Sequence, residues 1–430
     1  MIWIKNGFVV DPANRIEEQK DVLIKDGKIL EVTDNGDKIR QLVDNTCEVI
    51  DASGCIVAPG LVDVHVHFRD PGFTYKEDIE TGAKAAARGG FTSVVLMANT
   101  KPPVDNEQTI AYIVEKAKKT ALHIYTCAAV TKGLAGKELT DMAALLEKGA
   151  VGFTDDGIPL LDASMIQQAM ERTAKLKVPI SLHEEDPTLI GNNGIHRGKA
   201  SEYYKIEGSP REAEISMIKR DLEIALQTGA IVNIQHISTK EGVALVRDAK
   251  RRAVAMGMEN CIHAEATPHH FSLTQDAAIT YGTLAKMNPP LREEADRLAI
   301  IEGLKDGTID IIATDHAPHS KQEKEKPLTE APSGIIGLET ALPLALTNLV
   351  STGQLTVSEL IRLMSLNPAK LYGLPAGTLS VGAPADVVIF DPTTIQKMEN
   401  FVSKSSNTPF TGQELRGIVK YTMTSCQGIL

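Results

Sequence analysis

Cysteine is scarce in this chain of 430 residues: Cys47, Cys55, Cys127, Cys261 and Cys426 are odd in number and scattered, with no C-x-x-C pair. That excludes a disulfide framework and a Cys-rich zinc module, and it favours a reducing, cytoplasmic setting. Long apolar runs are also missing; stretches such as residues 94–98 are too short to span a bilayer. The N-terminus, MIWIKNGFVVD, has none of the basic region, apolar core and small-residue cleavage site of a secretory signal. Basic residues are outnumbered, 45 against 56, and the resulting −11 argues against nucleic acid or an anionic membrane as partner. A negatively charged small substrate would need a local cluster of positive charge. No G-x-G-x-x-G or G-x-x-x-x-G-K-[ST] follows any candidate strand, so a doubly wound nucleotide-binding sheet has no fingerprint in its favour. What is present is ordinary globular composition: 43% hydrophobic and 23% charged residues exclude a disordered chain.

The length suits about two or three domains, or one large barrel with an appendage. Near the N-terminus, residues 22–25 and 28–32 flank Asp26-Gly27, a pair that tolerates positive φ and so predicts a β-hairpin. Strand-like runs return at residues 385–390 and 417–423. Between these ends, short β-rich runs are predicted at residues 62–67, 93–97, 123–128, 151–154, 179–183, 231–236, 261–264 and 310–313. Stretches with helical apolar spacing separate them, among them residues 81–88, 109–119, 163–176 and 213–228. Eightfold β/α alternation predicts a (β/α)₈ TIM barrel over residues 57–370. Residues 1–56 and 371–430 would combine into a small β-sandwich-like domain. The charge-dense stretch 321–326 reads as a solvated loop.

His65-Val66-His67 closes the first barrel strand, and residues two apart on a strand share a face. Alone, H-x-H is a weak signal. Its weight comes from recurrence: Asp155-Asp156 ends the fourth strand, His183 the fifth, His236 the sixth, and Asp315 follows the eighth. In this fold such positions converge at one mouth, where imidazoles and carboxylates suit zinc, enough for one or two ions. Strand alternation does not choose between Asp155 and Asp156, because a strand end can bulge.

The motifs PGLVDVHVHFRDPG, MANTKP, GFTDDG, KMNPPLR, ATDHAPHS and GLETALPL, in that order, resemble the dihydroorotases of the amidohydrolase superfamily. The likeness covers nearly the whole chain, including GAPADVVIFDP and NTPFTG. It implies a zinc-dependent, reversible interconversion of N-carbamoyl-L-aspartate and (S)-dihydroorotate in de novo pyrimidine synthesis. By the same resemblance His65, His67 and Asp315 hold one zinc, His183 and His236 a second, and Asp156 bridges them. Many relatives, hydantoinases and allantoinases included, bridge with a carboxylated lysine; no Lys lies between Ala150 and Ile158 here, so this chain resembles the aspartate-bridged branch. Asp155 is then left a structural or supporting role. Cyclic-amide hydrolysis needs a nucleophile at neutral pH, and zinc lowers the pKa of water to about 7. Asp315 is the expected proton shuttle.

Arg69 offers a planar fork to a non-reacting carboxylate, and the resemblance places His67, Asn99, Asn288, His319, Ser333 and Gly334 around the same substrate. Two departures stand out: Ala98-Asn99-Thr100 replaces a P-N-T, and Pro332-Ser333-Gly334 a P-F-G. The partner implied is a small molecule, with a homodimer or association with another enzyme of the pathway left open. The rival readings are another cyclic amidase, such as a hydantoinase or allantoinase, and a catalytically silent barrel supporting a pathway enzyme. Other residues take plainer readings. Asp63 is expected to share the face of His65 and His67 and to orient one of them. His269 and His270 are read as supporting or packing residues, and His316 as structural. His123, His196 and His263 are ordinary polar residues, and Glu184, Glu185 and Asp186 loop acids. Residues 321–337 are the expected loop over the substrate.

Overall fold

Five strands open the chain: β1 (Ile2–Asp11), β2 (Ile16–Lys25), β3 (Lys28–Thr33), β4 (Glu48–Asp51) and β5 (Ile56–Pro59). The computed structural model describes residues 1–425 and the backbone of 428 and 429, so Cys426 lies outside the described residues. β2 and β3 pair antiparallel around Asp26 (φ 51°) and Gly27 (φ 71°), the double positive φ that a two-residue hairpin turn requires.

The next eight strands are parallel: β6 (Leu61–Val66), β7 (Phe91–Leu96), β8 (His123–Ala128), β9 (Ala150–Phe153), β10 (Ile180–Leu182), β11 (Val232–Ile234), β12 (Ile262–Ala266) and β13 (Ile311–Ile312). Each is hydrogen-bonded to the next in chain order. The ring closes through a parallel bridge between Val66 and His316, with His67 N donating to His316 O at 2.9 Å. Helices such as Ile79–Arg88, Glu107–Ala117, Ala163–Leu176 and Arg211–Thr228 occupy the crossovers, which makes the sheet a TIM barrel. The helix Ala163–Leu176 illustrates why they form where they do. Asp162 caps its first turn, accepting from Ser164 N and Met165 N, and Ile166, Ala169, Met170 and Thr173 make one buried stripe at helical spacing. Burying a side chain such as Ile166 or Met170 is worth about 1.5–3 kcal/mol.

Three further strands, β14 (Val387–Lys397), β15 (Glu414–Thr424) and the short β16 (Gly428–Ile429), extend the N-terminal sheet, β14 pairing antiparallel with β5. Both chain ends thus share one sheet with its own apolar cluster, including Ile4, Val22, Val57, Val387 and Ile389. A different cluster fills the barrel: Val62, Val64, Val95, Met97, Cys127, Ile311 and Ala313, closed from below by Leu371, Tyr372 and Leu374. Among the described residues no helix is long and apolar enough to cross a membrane.

Candidate active site

The site begins with an irregularity in β6. Its register against β7 slips between Asp63 and Val66, adding a residue to β6 and reversing the faces beyond it. Val62 and Val64 belong to the barrel-filling cluster, and after the slip His65 and His67 also turn inward. Asp63 does not. Its carboxylate accepts from His65 N at 3.1 Å and Thr314 N at 3.2 Å, so it ties two backbones together and orients no imidazole. That corrects the expectation from simple alternation.

Arg69 (φ 59°), His236 (φ 32°) and Asp315 (φ 49°) all adopt left-handed backbone. For residues with a Cβ this costs about 1–3 kcal/mol each, a strain tolerated where the surroundings over-determine the conformation. At Asp315 the consequence is direct. Its carboxylate turns toward His65 and His67, while His316 enters the wall, its Nδ1 accepting from Gly337 N at 3.1 Å. His316 is structural, as its neighbours in sequence suggest.

Six side chains from five strand ends meet at the mouth. His67 Nε2 lies 3.0 Å from Asp315 Oδ1 and 3.4 Å from Asp156 Oδ2. His65 Nε2 is 3.4 Å from both Asp156 Oδ1 and Asp315 Oδ1. His183 Nδ1 and His236 Nε2 face each other at 2.9 Å, and lie 3.6 and 3.8 Å from Asp156 Oδ1. His65 Nε2 and Asp156 Oδ1 are buried without a hydrogen-bond partner, which a protein interior rarely tolerates. Two donor groups, His65–His67–Asp315 and His65–Asp156–His236, have ligand atoms within 4.8 Å of one another. This imidazole and carboxylate set fits a divalent cation.

Electrostatic coupling ties the same residues together. Burial opposes ionisation of Asp156, yet His65, His183 and His236 hold its carboxyl well below the usual range. Burial likewise opposes charge on Asp315, and His65 and His67 pull it below the usual range. For His183, Asp156 and Glu185 overcome burial and lift the imidazole to about 10. Negative oxygens and imidazole nitrogens crowded at this spacing are what a cation stabilises.

Behind the mouth stand residues that sequence reasoning missed. Glu265 Oε2 lies 2.9 Å from His65 Nδ1, and Asn233 Nδ2 donates to Glu265 Oε1 at 2.6 Å. Asn233 also donates to Ser181 Oγ, which bonds Tyr372 Oη at 2.6 Å, so a polar chain runs down the barrel. Glu185, expected as a loop acid, is buried, with Oε2 3.4 Å from His183 Nε2 and Oε1 accepting from Ser209 Oγ. Glu184 is buried too, while Asp186 accepts from Thr188 N in the following turn. His67 Nδ1 is backed by Asn99 Oδ1 at 2.9 Å. Asp155 points away from the cluster: it accepts from Val130 N at 2.7 Å, Thr131 N and Thr131 Oγ. His270 bonds Thr267 Oγ and Pro289 O, and His269 packs on its ring. His123, His196 and His263 pair with Asp386, Arg292 and Asp310, away from the cluster. A single Glu in the run IHAEA, or one acid among three after His183, carries no signal in sequence.

A cavity of about 290 Å³ opens above the cluster. Arg69, Asn99, Asn288, His319, Ser333 and Gly334 line it together with His67 and Asp315. Asn288 Oδ1 and Ser333 Oγ are buried without protein partners. Gly334 has φ 113°, and a Cβ there would stand 2.6 Å from Ala317 Cβ, so only glycine fits that turn of the wall. The loop carrying it is pinned by two lysines. Lys286 Nζ donates to Leu328 O and Ala331 O, and Lys324 Nζ to Pro332 O and Gly334 O. The stretch 321–326 is therefore not simply a solvated loop: Lys321–Lys324 is a short helix capped by Ser320, and Lys324 is buried.

Comparison with known proteins supplies the lineage of this arrangement. Residues 56–427 match the model of the Amidohydrolase family. The chain is 54% identical over 430 residues to a dihydroorotase of Clostridioides difficile (strain 630), covering 100% of this chain and 99% of the relative. It is 51% identical over 426 residues to one from Clostridium acetobutylicum, covering 98% of each, and 49% identical to one from Streptococcus pneumoniae, covering 100% and 99%. Among solved structures, L-hydantoinase (dihydropyrimidinase) from Arthrobacter aurescens matches with a TM-score of 0.87 at 27% identity, over 100% of this chain and 95% of that one.

Proposed function

The chain belongs to the amidohydrolase family, and from its full-length kinship with dihydroorotases we propose that it interconverts N-carbamoyl-L-aspartate and (S)-dihydroorotate in pyrimidine synthesis. The observation that carries this reading is the placement of Arg69 and His319 in the same cavity as the His65–His67–Asp315 cluster. A cyclic amide bearing a carboxylate needs both: donors for the acid that does not react, and a reacting centre beside them.

His65, His67 and Asp315 would hold one divalent ion, His183 and His236 a second, with Asp156 between them; zinc suits these nitrogen and oxygen donors. When bound, such ions supply a nucleophile active at neutral pH and an electrophile for the reacting carbonyl. Asp315 turns Oδ1 to His65 and His67, leaving Oδ2 for the proton in transit. In hydrolysis it takes a proton from the attacking water and returns it to the ring nitrogen as the C–N bond breaks. In cyclisation it accepts the ureido proton as that bond forms and returns it to the carboxylate oxygen, which departs as water when its C–O bond breaks. Arg69 and His319 grip the spectator carboxylate. Asn99, which bonds both His67 and Asp156 O, with Asn288 and the Ser333–Gly334 backbone orients the ring.

The rival reading, a hydantoinase, draws on the likeness to L-hydantoinase at 27% identity. Identities of 54%, 51% and 49% to dihydroorotases and the carboxylate-gripping pair favour the first reading. Purified protein assayed with dihydroorotate, carbamoyl aspartate, 5-substituted hydantoins and allantoin decides between them. Turnover of dihydroorotate is expected; turnover of hydantoins or allantoin alone would overturn the assignment.

A further inference from the structure

Lys76 has no part in the chemistry above, yet its side chain is only 10% exposed in the loop after β6. Its ammonium has two partners on the segment after β13: His319 Nδ1 at 3.2 Å and, in the short helix Lys321–Lys324, Glu323 Oε1 at 2.7 Å. An ammonium can only donate, so His319 Nδ1 must accept. The far side of the ring gives the same answer independently. His319 Nε2 lies 2.9 Å from the carbonyl oxygen of Ser333, which can only accept, so Nε2 carries the proton. Glu323 Oε2, 3.8 Å from Nδ1, is too distant to take a proton from it. Burial, reinforced by Arg69, Lys76 and Lys324, keeps the ring far below its usual protonation range. His319 is therefore a neutral imidazole in its Nε2–H form.

The tautomer matters because of what stands beside it. Arg69 Nη2 is 3.4 Å from His319 Nε2. Both are donors on the cavity wall, and a carboxylate entering between them can accept from Arg69 and share the Nε2 proton with Ser333 O in a three-centre bond. In the opposite tautomer Nε2 would turn a lone pair on that same acceptor and repel it. We propose that Lys76 is a positioning residue for substrate binding: by donating to His319 Nδ1, it holds the imidazole as the second donor, beside Arg69, for the substrate's non-reacting carboxylate. The inference rests on the reading of the cavity as a dihydroorotate site.

The test pairs kinetics with ¹⁵N NMR of histidine-labelled, metal-loaded enzyme, the His319 signals being assigned by their loss in His319→Asn. In the wild type His319 must read as neutral with the proton on Nε2. Lys76→Met, which keeps the chain length and removes the donor, is expected to raise KM for dihydroorotate roughly 10- to 100-fold, the scale of a lost hydrogen bond to a charged group. kcat and metal content should change little, and the Nε2–H form, then held by Ser333 O alone, should lose population to the Nδ1–H form. Lys76→Arg should recover part of the KM. If Lys76→Met does not fold, Lys76→Gln is judged by the same readouts with a smaller KM change. A wild-type ring protonated on Nδ1, an unchanged KM, or a raised KM with the tautomer intact would each overturn the proposal. Wild-type protein that ignores dihydroorotate would instead overturn the functional reading, while the tautomer, measured without substrate, still tests the role of Lys76.

Discussion

The carboxylate of Glu265 lies 2.9 Å from Nδ1 of His65, and both side chains are wholly buried although 200 residues separate them in the chain. A carboxylate on Nδ1 keeps the proton there and leaves the Nε2 lone pair, beside Asp156 and Asp315, available as a ligand to a cation among them. Glu265→Gln should therefore leave the barrel folded but weaken metal retention by about 10- to 100-fold, the usual cost of losing such a partner. Competition with a chelator, followed by metal analysis, measures it. Retention equal to the wild type would reduce Glu265 to a packing role.

Asp155 and Asp156 should separate cleanly. Asp156→Ala is expected to lose metal and keep the fold. Asp155→Ala strands the Val130 and Thr131 donors and should cost about 2–4 kcal/mol of stability, with metal content kept. Denaturant titration and metal analysis of both variants check this, and a reversal would reassign the bridging carboxylate.

Asp315→Asn keeps the size of the side chain but cannot carry a proton. It should lower kcat by about 100-fold or more while the circular dichroism spectrum stays native. Arg69→Ala should instead act mainly on KM, raising it about tenfold or more. Full activity in Asp315→Asn would remove it from the proton path.

Lys324 predicts a pH dependence of stability. Its ammonium is buried, and burial, with Lys286 nearby, lowers its pKa from 10.5 to about 7. Below pH 7 the lysine is charged in both folded and unfolded chains, so the burial penalty is fully present. Between about 7 and 10.5 the native state has shed its proton and the unfolded state has not, so wild-type stability rises with pH. Relative to Lys324→Met, the gain should approach about 1.4 kcal/mol per pH unit in that window. Parallel denaturation curves from pH 6 to about 9 measure the difference, and a flat difference would contradict the assignment.

Much of the architecture was legible beforehand because it depends on local periodicity. Runs such as 93–97 and 123–128 announce strands through β-rich composition, and the 163–176 stretch announces a helix through apolar spacing that the structure buries as Ile166, Ala169, Met170 and Thr173. The residues read as ligands converge because every parallel strand of a barrel delivers its C-terminal end to one mouth. Asp63 was misjudged because the slip in β6 changes face within a few residues, and nothing in L-V-D-V-H-V marks it. Lys324 was misjudged because a charge run says nothing about which of its members finds backbone carbonyls to bond.

By itself, then, the sequence determined the kinds of element, their order and the chemistry available at the strand ends, since these follow from residue type and spacing. Only the tertiary structure decided which atoms face one another: Asp156 and not Asp155 toward the imidazoles, Glu265 behind His65, Lys76 behind His319. Those choices depend on bulges, left-handed turns and contacts between residues far apart in the chain, and local propensity carries no record of them.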